Sequence, residues 1–194
     1  MTKLIGIIFL FLCPLFSMAQ WSDTLHVSTR ASALLPLDDS LQLVQCRRDS
    51  LKLEAMIRTA QIDSIINFSK KFIGTPYRYG GRTTKGFDCS GFMCFVFENF
   101  GMKLPPSSRS QALVGEQIAI DSVQKGDLVF FKGRNPKSPV IGHVAMVVEV
   151  SETNDIQFIH STKHGLRLDW LSEEPYYMKR FMASRRIKLE NTSN

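Results

Sequence analysis

Residues 86–101 read GFDCSGFMCFVFENFG, and this segment decides the architecture of the chain. Asp88 is a favourable N-cap residue, because its carboxylate accepts hydrogen bonds from the free N–H groups at a helix start. Gly101 is a typical helix stop, since glycine adopts the left-handed backbone conformation at low cost. The residues between them are apolar on almost every side, which is typical of a helix in the middle of a core. We therefore predict a buried helix that carries Cys89 in its first turn.

The sequence on either side of this helix predicts an α+β fold, with helices first and an antiparallel β-sheet after them. Upstream, apolar residues at helical spacing cover residues 40–72, as one helix or two. A glycine-rich turn at residues 74–81 then leads into the buried helix. Downstream, runs rich in β-branched and aromatic residues predict strands at residues 127–132, 143–150, 156–160 and 177–187.

The amino terminus has the layout of a secretory signal peptide. Lys3 precedes an apolar run at residues 4–12, which is too short for a membrane-spanning helix, and a small-residue pattern ends at Ala19. The alternatives are an uncleaved anchor, or a lipoprotein attached at Cys13, where the two preceding residues are too bulky for a lipidation signal. We expect cleavage after Ala19 and a protein of the periplasm or cell envelope.

The chain of 194 residues, 44% of them hydrophobic, suffices for one globular domain and excludes global disorder. We divide it into four parts: a signal peptide at residues 1–19, a linker and amino-terminal helical segment at 20–58, a catalytic domain at 59–187 and a flexible tail at 188–194. We expect this protein to be a monomer.

Three cysteines remain after the predicted cleavage: Cys46, Cys89 and Cys94. An odd number in an oxidising compartment argues against a disulfide framework and leaves at least one free thiol. On one helix, Cys89 and Cys94 point away from each other and are poor bridge partners. We interpret Cys46 and Cys94 as ordinary packing residues.

Positive charge is in excess, with 24 Lys and Arg against 18 Asp and Glu. A solvated surface is the simplest explanation. The functional one is attraction to polyanions, which for an exported protein are cell-wall polymers and membrane surfaces. The sequence contains no basic cluster interleaved with aromatic residues, so we expect no nucleic-acid partner.

Cys89 is the predicted nucleophile. The free N–H groups and peptide dipoles of a helix start favour negative charge, so we expect this position to lower the pKa of the thiol. A thiolate also needs a base and a group that orients the base. His143 opens one predicted strand and His160 closes the next, with a hairpin-like turn at residues 151–155 between them. Antiparallel pairing about this turn brings both imidazoles to the same end of the sheet.

An enzyme that attacks a carbonyl carbon also needs donors for the oxyanion. The backbone N–H of Cys89 and the phenol of Tyr77 are candidates, although ordinary packing explains Tyr77 equally well. A competing zinc site would use four residues: Cys89, His143, His160 and His164. Sequence spacings typical of zinc ligands do not support it, so we expect no metal and no cofactor.

Six short motifs occur in an order that resembles one family of enzymes. They are Pro76-Tyr77-Arg78-Tyr79-Gly80-Gly81, Phe87-Asp88-Cys89-Ser90-Gly91-Phe92, Leu104-Pro105, Gly126-Asp127-Leu128-Val129-Phe130-Phe131, Gly142-His143-Val144 and Phe158-Ile159-His160. Together they are similar to the NlpC-type family of cell-wall cysteine peptidases, and closest to its murein endopeptidase Spr branch. The resemblance covers about residues 59–187.

This resemblance implies a compact papain-like fold and a Cys-His-His triad, which maps onto Cys89, His143 and His160. It also implies an oxyanion role for Tyr77 and a peptidoglycan stem peptide or cross-link as substrate, typically cut at a bond that involves diaminopimelate and a D-amino acid. Asp88 and Ser90 match positions that commonly contact substrate in the family. Arg109, in the loop a few residues after Leu104-Pro105, is a further candidate for substrate binding. In that loop Pro106 stands where relatives usually carry Arg, which weakens the assignment of a carboxylate contact there.

We therefore predict an exported hydrolase, a cysteine-type murein endopeptidase. An amidase or acyltransferase with the same Cys-His machinery is one alternative, and a catalytically silent wall-binding protein is another. Residues 20–58 are too short and wrongly patterned for an SH3-like wall-binding domain, so we expect charge or the amino-terminal segment to direct the protein to the wall.

Overall fold

The computed structural model describes residues 37–135 and 137–189. The predicted signal peptide, the first part of the predicted linker and most of the predicted tail lie outside these residues. The first helix, α1, is one continuous helix of 34 residues, Leu37–Lys70, and not two. The described residues 37–42 belong to one compact unit, and the residues from Leu43 onward belong to a second one. Among the described residues, no helix combines the length and the apolar character needed to cross a membrane.

The predicted buried helix is α2, Cys89–Glu98. Asp88 caps it as expected, because its Oδ1 accepts a hydrogen bond from the Gly91 N–H at 2.6 Å. Gly101 follows the helix with a φ of +77°, and the Met102 N–H donates to the Phe97 carbonyl at 3.0 Å. Glycine tolerates this left-handed conformation, so the helix stops where the sequence predicts a stop.

The other elements within residues 37–135 and 137–189 are short helices and eight strands. The helices are α3 (Ser108–Gln111), the 3₁₀ turn Ile120–Ser122 and α4 (Pro175–Met178). The strands are β1 (Arg82–Thr83), β2 (Gly86–Phe87), β3 (Glu116–Ile118), β4 (Leu128–Lys132), β5 (Ile141–Val150), β6 (Ile156–Thr162), β7 (Gly165–Trp170) and β8 (Phe181–Arg186).

Six of these strands form one antiparallel sheet in the order β3-β8-β4-β5-β6-β7. Successive residues of β4 point to opposite faces of the sheet. Leu128 and Phe130 pack with α2 on one face, whereas Val129 and Phe131 pack with Phe158 on the other. The sheet is therefore covered on both faces. The predicted α+β class, helices first and antiparallel sheet after, is confirmed.

One strand prediction is wrong at its start, and four of the observed strands were not predicted. Tyr177, expected to open the last strand, lies in α4, because Pro175 suits the first position of a helix, where its missing N–H is not needed. The strand itself begins at Phe181. The unpredicted strands are the short β1, β2 and β3, and also β7, which pairs with β6 across a two-residue turn at residues 163–164.

Two hairpins carry the polar residues of the candidate site. In the first, β5 and β6 are joined through residues 151–155, where the Ser151 N–H donates to the Asp155 carbonyl at 2.8 Å. Met146 lies opposite Ile159, and this register continues to place His160 opposite Ala145, diagonal to His143 on the same face. In the second hairpin, Phe158 lies opposite Asp169, which places Asp169 diagonal to His160.

Candidate functional site

A cleft of about 720 Å³ lies where α2 begins and where β5 opens. It contains the predicted nucleophile and base on its walls. Its lining residues are Tyr77, Cys89, Lys132, Gly133, Arg134, Gly142, His143, Ser161, Thr162, Lys163, His164, Arg167, Asp169, Glu174, Tyr176 and Tyr177.

Cys89 sits at the first position of α2, and its thiol contacts the backbone of Val144, the residue that follows His143. Burial raises the pKa of this thiol to about 11, and it outweighs the opposite effect of backbone groups of Val144, Ser90 and Cys89 itself. The expectation of a lowered thiol pKa is therefore wrong. The helix start does favour the thiolate, but removal of the sulfur from water disfavours it more.

This pKa predicts how alkylation of Cys89 depends on pH. Iodoacetamide reacts with the thiolate, so we expect slow labelling near neutral pH and a rate that rises about tenfold per pH unit until the pH approaches the thiol pKa. The measurement is peptide mass spectrometry over a pH series in a Cys46→Ser/Cys94→Ser background, in which Cys89 is the single cysteine from residue 20 onward. A rate that is already maximal at neutral pH would contradict a buried neutral thiol.

The two histidines are in direct contact, as the hairpin register predicts. His143 Nε2 lies 2.9 Å from His160 Nδ1. The ring of Tyr177 stacks on His143 with centroids 5.3 Å apart, and Phe158 packs edge-on against His160 at 4.8 Å. His160 has no exposed surface. One hydrogen bond and the packing of neighbouring aromatic rings thus hold the two imidazoles in place.

Asp169 extends this pair on the far side. Its Oδ2 lies 2.8 Å from His160 Nε2, and its Oδ1 is ion-paired with Arg167. Burial opposes ionisation of Asp169, but the hydrogen bond from His160 and the Arg167 charge hold its pKa below the ordinary value. Burial lowers the pKa of both histidines, and in His143 the neighbouring His160 lowers it further. At neutral pH the hydrogen-bonded chain His143–His160–Asp169 therefore consists of two neutral imidazoles and one carboxylate.

Sequence reasoning missed Asp169 and Tyr177. The signal for Asp169 was the alternation of residues 166–170 behind a two-residue turn, which predicts a strand paired with β6. Once this strand is recognised, the register brings Asp169 beside His160. Tyr177 offered no comparable signal, because α4 reaches His143 through tertiary packing.

Tyr77 lies beside Cys89 and is 40% exposed. Burial and the nearby Cys89 raise the pKa of its phenol, which therefore keeps its proton at neutral pH. The turn that carries it packs directly on α2: a Cβ on Gly91 would lie 2.1 Å from the Gly81 carbonyl oxygen. Only glycine fits at this approach, which explains the glycine two positions after Cys89.

The three predicted substrate contacts lie outside the set of described residues that line the cleft. Both Asp88 oxygens have intramolecular partners, since Oδ1 accepts from Ser90 Oγ as well as the α2 backbone and Oδ2 accepts from the Gly80 N–H at 2.9 Å. Ser90 is buried. Arg109 is exposed, and its Nε donates to the Ile141 carbonyl at 3.3 Å. The roles of Asp88, Ser90 and Arg109 in substrate binding stay predictions.

The competing zinc site loses one of its proposed ligands. Both ring nitrogens of His160 are occupied, one by His143 and the other by Asp169. A metal at His160 would have to displace one of these hydrogen bonds.

Comparison with known proteins places residues 74–186 within the model of the NlpC/P60 family. The chain is 42% identical to "Probable endopeptidase NlpC" of Escherichia coli K12 over 116 residues, which are 59% of this chain and 70% of that protein. It is 31% identical to "Murein DD-endopeptidase MepS/Murein LD-carboxypeptidase" of the same strain over 169 residues, 86% of this chain and 81% of that one. These matches confirm the predicted family and its Spr-like branch.

Solved structures agree with this assignment. A crystal structure of an NlpC/P60 family protein from Bacillus cereus superposes with a TM-score of 0.58 at 32% identity. The match covers 64% of this chain and 39% of the Bacillus cereus chain, so the similarity concerns one part of that protein. The NlpC/P60 domain of the peptidoglycan hydrolase SagA matches with a TM-score of 0.52 at 25% identity.

Proposed function

The chain belongs to the NlpC/P60 family, and on this premise we propose that it is an exported cysteine peptidase that hydrolyses amide bonds of peptidoglycan stem peptides or cross-links. The predicted class, a hydrolase of the cysteine-type murein endopeptidase kind, agrees with the names of its relatives. The observation that carries the proposal is the contact between His143 and His160 at the wall of the cleft that also exposes Cys89.

We assign the roles as follows. His143 uses Nε2 to contact His160, which leaves Nδ1 as its second ring nitrogen for the Cys89 proton. As the proton moves from sulfur to Nδ1, the sulfur attacks the amide carbonyl carbon and a tetrahedral oxyanion forms. The Cys89 N–H and the Tyr77 hydroxyl donate to this oxyanion. His143 then gives its proton to the leaving amine, and the C–N bond breaks to leave a thioester.

The thioester is resolved by water. His143, again neutral, accepts a proton from the attacking water at Nδ1, and the second oxyanion collapses with cleavage of the C–S bond. The proton returns to sulfur, and the carboxylic acid product leaves. Because the resting thiol and imidazole are both neutral, charge separates only as the bond to the carbonyl forms.

The charge of the cleft supports a substrate that carries carboxylates. Four basic side chains line it, against two acidic ones: Lys132, Arg134, Lys163 and Arg167, against Asp169 and Glu174. Stem peptides carry free carboxylates, so this excess of positive charge favours their binding.

Digestion of purified sacculi followed by mass spectrometry of the muropeptides tests the function. An endopeptidase produces a new amine within the stem peptide, whereas an amidase releases the sugar with its lactyl group free of peptide. Intact sacculi together with full binding to the wall would support the silent wall-binding alternative. Export is tested by amino-terminal sequencing of the envelope fraction, for which the proposed cleavage predicts a start at Gln20.

Replacement of Tyr77 by Phe tests the oxyanion role. We expect kcat on a stem-peptide substrate to fall roughly 10- to 100-fold, because the variant lacks one donor to the developing charge and keeps the ring. Tyr79→Phe is a matched control, since Tyr79 lies in the same turn and is 91% exposed. Equal kcat values for wild type and Tyr77→Phe would contradict a role for this hydroxyl.

A further inference from the structure

We propose that Asp169 is a positioning residue that sets the tautomers of both histidines and so leaves Nδ1 of His143 free to act as the base. The proposal deepens the function proposed above and rests on it, because it takes Cys89 as the nucleophile and His143 as its base. It adds Asp169 to the predicted Cys-His-His set, as the third member of a hydrogen-bonded chain with His160 and His143.

The tautomers follow from the geometry, one bond at a time. An ionised carboxylate only accepts hydrogen bonds, so the 2.8 Å contact with Asp169 Oδ2 requires a proton on His160 Nε2. In a neutral ring the other nitrogen, Nδ1, is then an acceptor. The 2.9 Å contact therefore requires His143 Nε2 to donate. His143, also neutral, is left with an unprotonated Nδ1.

The surroundings of His160 and Asp169 favour a neutral imidazole and an ionised carboxylate. His160 is fully buried among Phe158, Tyr177 and His143, and this environment lowers its pKa, so the ring carries one proton rather than two. Asp169 is 7% exposed, and Arg167 at its other oxygen keeps it ionised. Glu174 lies 3.7 Å from the same guanidinium group.

Arg167 also determines which oxygen of the Asp169 carboxylate is available to His160. Its guanidinium contacts Oδ1, which leaves Oδ2 for His160. The plane of the carboxylate is thus held by one partner on β7 itself and one on β6. Without the charge on Asp169, nothing in this arrangement would require His160 to carry its proton on Nε2. A proton on Nδ1 of His160 instead would point at His143 Nε2. His160 would then donate this hydrogen bond and His143 would accept it.

The tautomers are measurable in the mature full-length protein without any substrate. In ¹⁵N-labelled wild type at neutral pH, long-range ¹H–¹⁵N correlation spectra are expected to show both histidines neutral, each with a protonated Nε2 and an unprotonated Nδ1. In Asp169→Asn we expect this pattern to be lost or mixed at His160. A wild-type His160 protonated on Nδ1, or an unchanged pattern in the variant, would overturn the proposal.

Kinetics test whether the tautomer matters for the reaction. On a soluble stem-peptide substrate, Asp169→Asn is expected to lower kcat roughly 10- to 100-fold with KM changed less than about twofold, because the variant misorients the base and leaves binding groups in place. Asp169 acts through His160, so in a His160→Ala background the same replacement should cost less than about twofold more. Additive losses in the double variant would indicate general damage to the fold and would overturn the proposal.

Asp127→Asn is the matched control. Asp127 is also a buried carboxylate paired with an arginine, since Arg186 donates to it at 2.9 and 2.8 Å, and it precedes β4 at the end remote from His143. We expect this variant to keep the kcat of wild type. An equal loss of kcat in both variants would assign the effect of Asp169→Asn to lost stability and overturn the proposal.

Failure of the proposed function and failure of this proposal are distinguishable. A wild-type protein that cleaves no stem peptide refutes the function, while the spectra still decide the tautomers. A wild type that cleaves stem peptides, together with an Asp169→Asn variant of undiminished kcat, refutes only the positioning role.

Discussion

Cys89→Ala is expected to abolish release of muropeptides from sacculi, with a loss of at least about ten-thousandfold in rate. The methyl group of alanine cannot attack the carbonyl carbon or form the thioester, so the proposed reaction loses its nucleophile. The melting temperature should stay close to that of wild type, because the side chain is small, only half-buried and placed at the first position of α2. Initial rates and thermal melts of the same preparation measure both quantities.

Cys94→Ala provides the matched control for this variant. Cys94 lies on the same helix and is buried, and its sulfur contacts the Leu104 and Pro105 carbonyls instead of the cleft. We expect this variant to lose some stability and to keep its activity. Residual lysis by Cys89→Ala at the level of Cys94→Ala would refute the nucleophile assignment.

His143→Ala is expected to show the second-largest loss, roughly 100- to 10,000-fold in kcat at neutral pH. The thiol has a pKa of about 11, so without a base very little of it is ionised at neutral pH. The remaining activity should rise with pH, because hydroxide replaces the missing base. Because His143 stacks on Tyr177, a modest fall in melting temperature is also expected. A pH–rate series of wild type and variant measures the difference.

His164→Ala is the control for His143→Ala. It distinguishes the loss of a base from the loss of a histidine that only lines the cleft. His164 is exposed in the turn between β6 and β7, and its backbone N–H donates to Thr162 Oγ1. We expect its replacement to leave kcat within about twofold of wild type. Comparable losses in both histidine variants would argue that the cleft needs its imidazoles for binding rather than for proton transfer.

The parts of the fold that the sequence predicts are those set by local chemistry. Asp88 caps the start of α2, and the left-handed backbone of Gly101 follows its end. Each of these effects acts over only a few residues. The same holds for the turn at residues 151–155, which fixes the register of β5 and β6 and so the meeting of His143 with His160. Turn geometry and strand alternation contain enough information for these features.

The parts that escaped prediction depend on contacts between distant segments. Tyr177 stacks on His143 from a helix 34 positions away along the chain, and periodicity does not encode such a contact. The thiol pKa was predicted in the wrong direction for a related reason. The helix start is a local feature, whereas burial of Cys89 arises from the strand and cleft walls around it.

The close approach of Gly91 to the Gly81 carbonyl has a consequence for how the enzyme could diversify. It packs the backbone at the start of α2 directly against the turn that bears Tyr77, so a side chain larger than hydrogen at position 91 would push these two segments apart. We therefore expect variation in substrate preference at lining residues away from this contact, such as Lys163 and His164 on a turn and Tyr176 on a short helix. Laboratory evolution that targets these three positions would leave the contact between Gly91 and the Gly81 carbonyl unchanged.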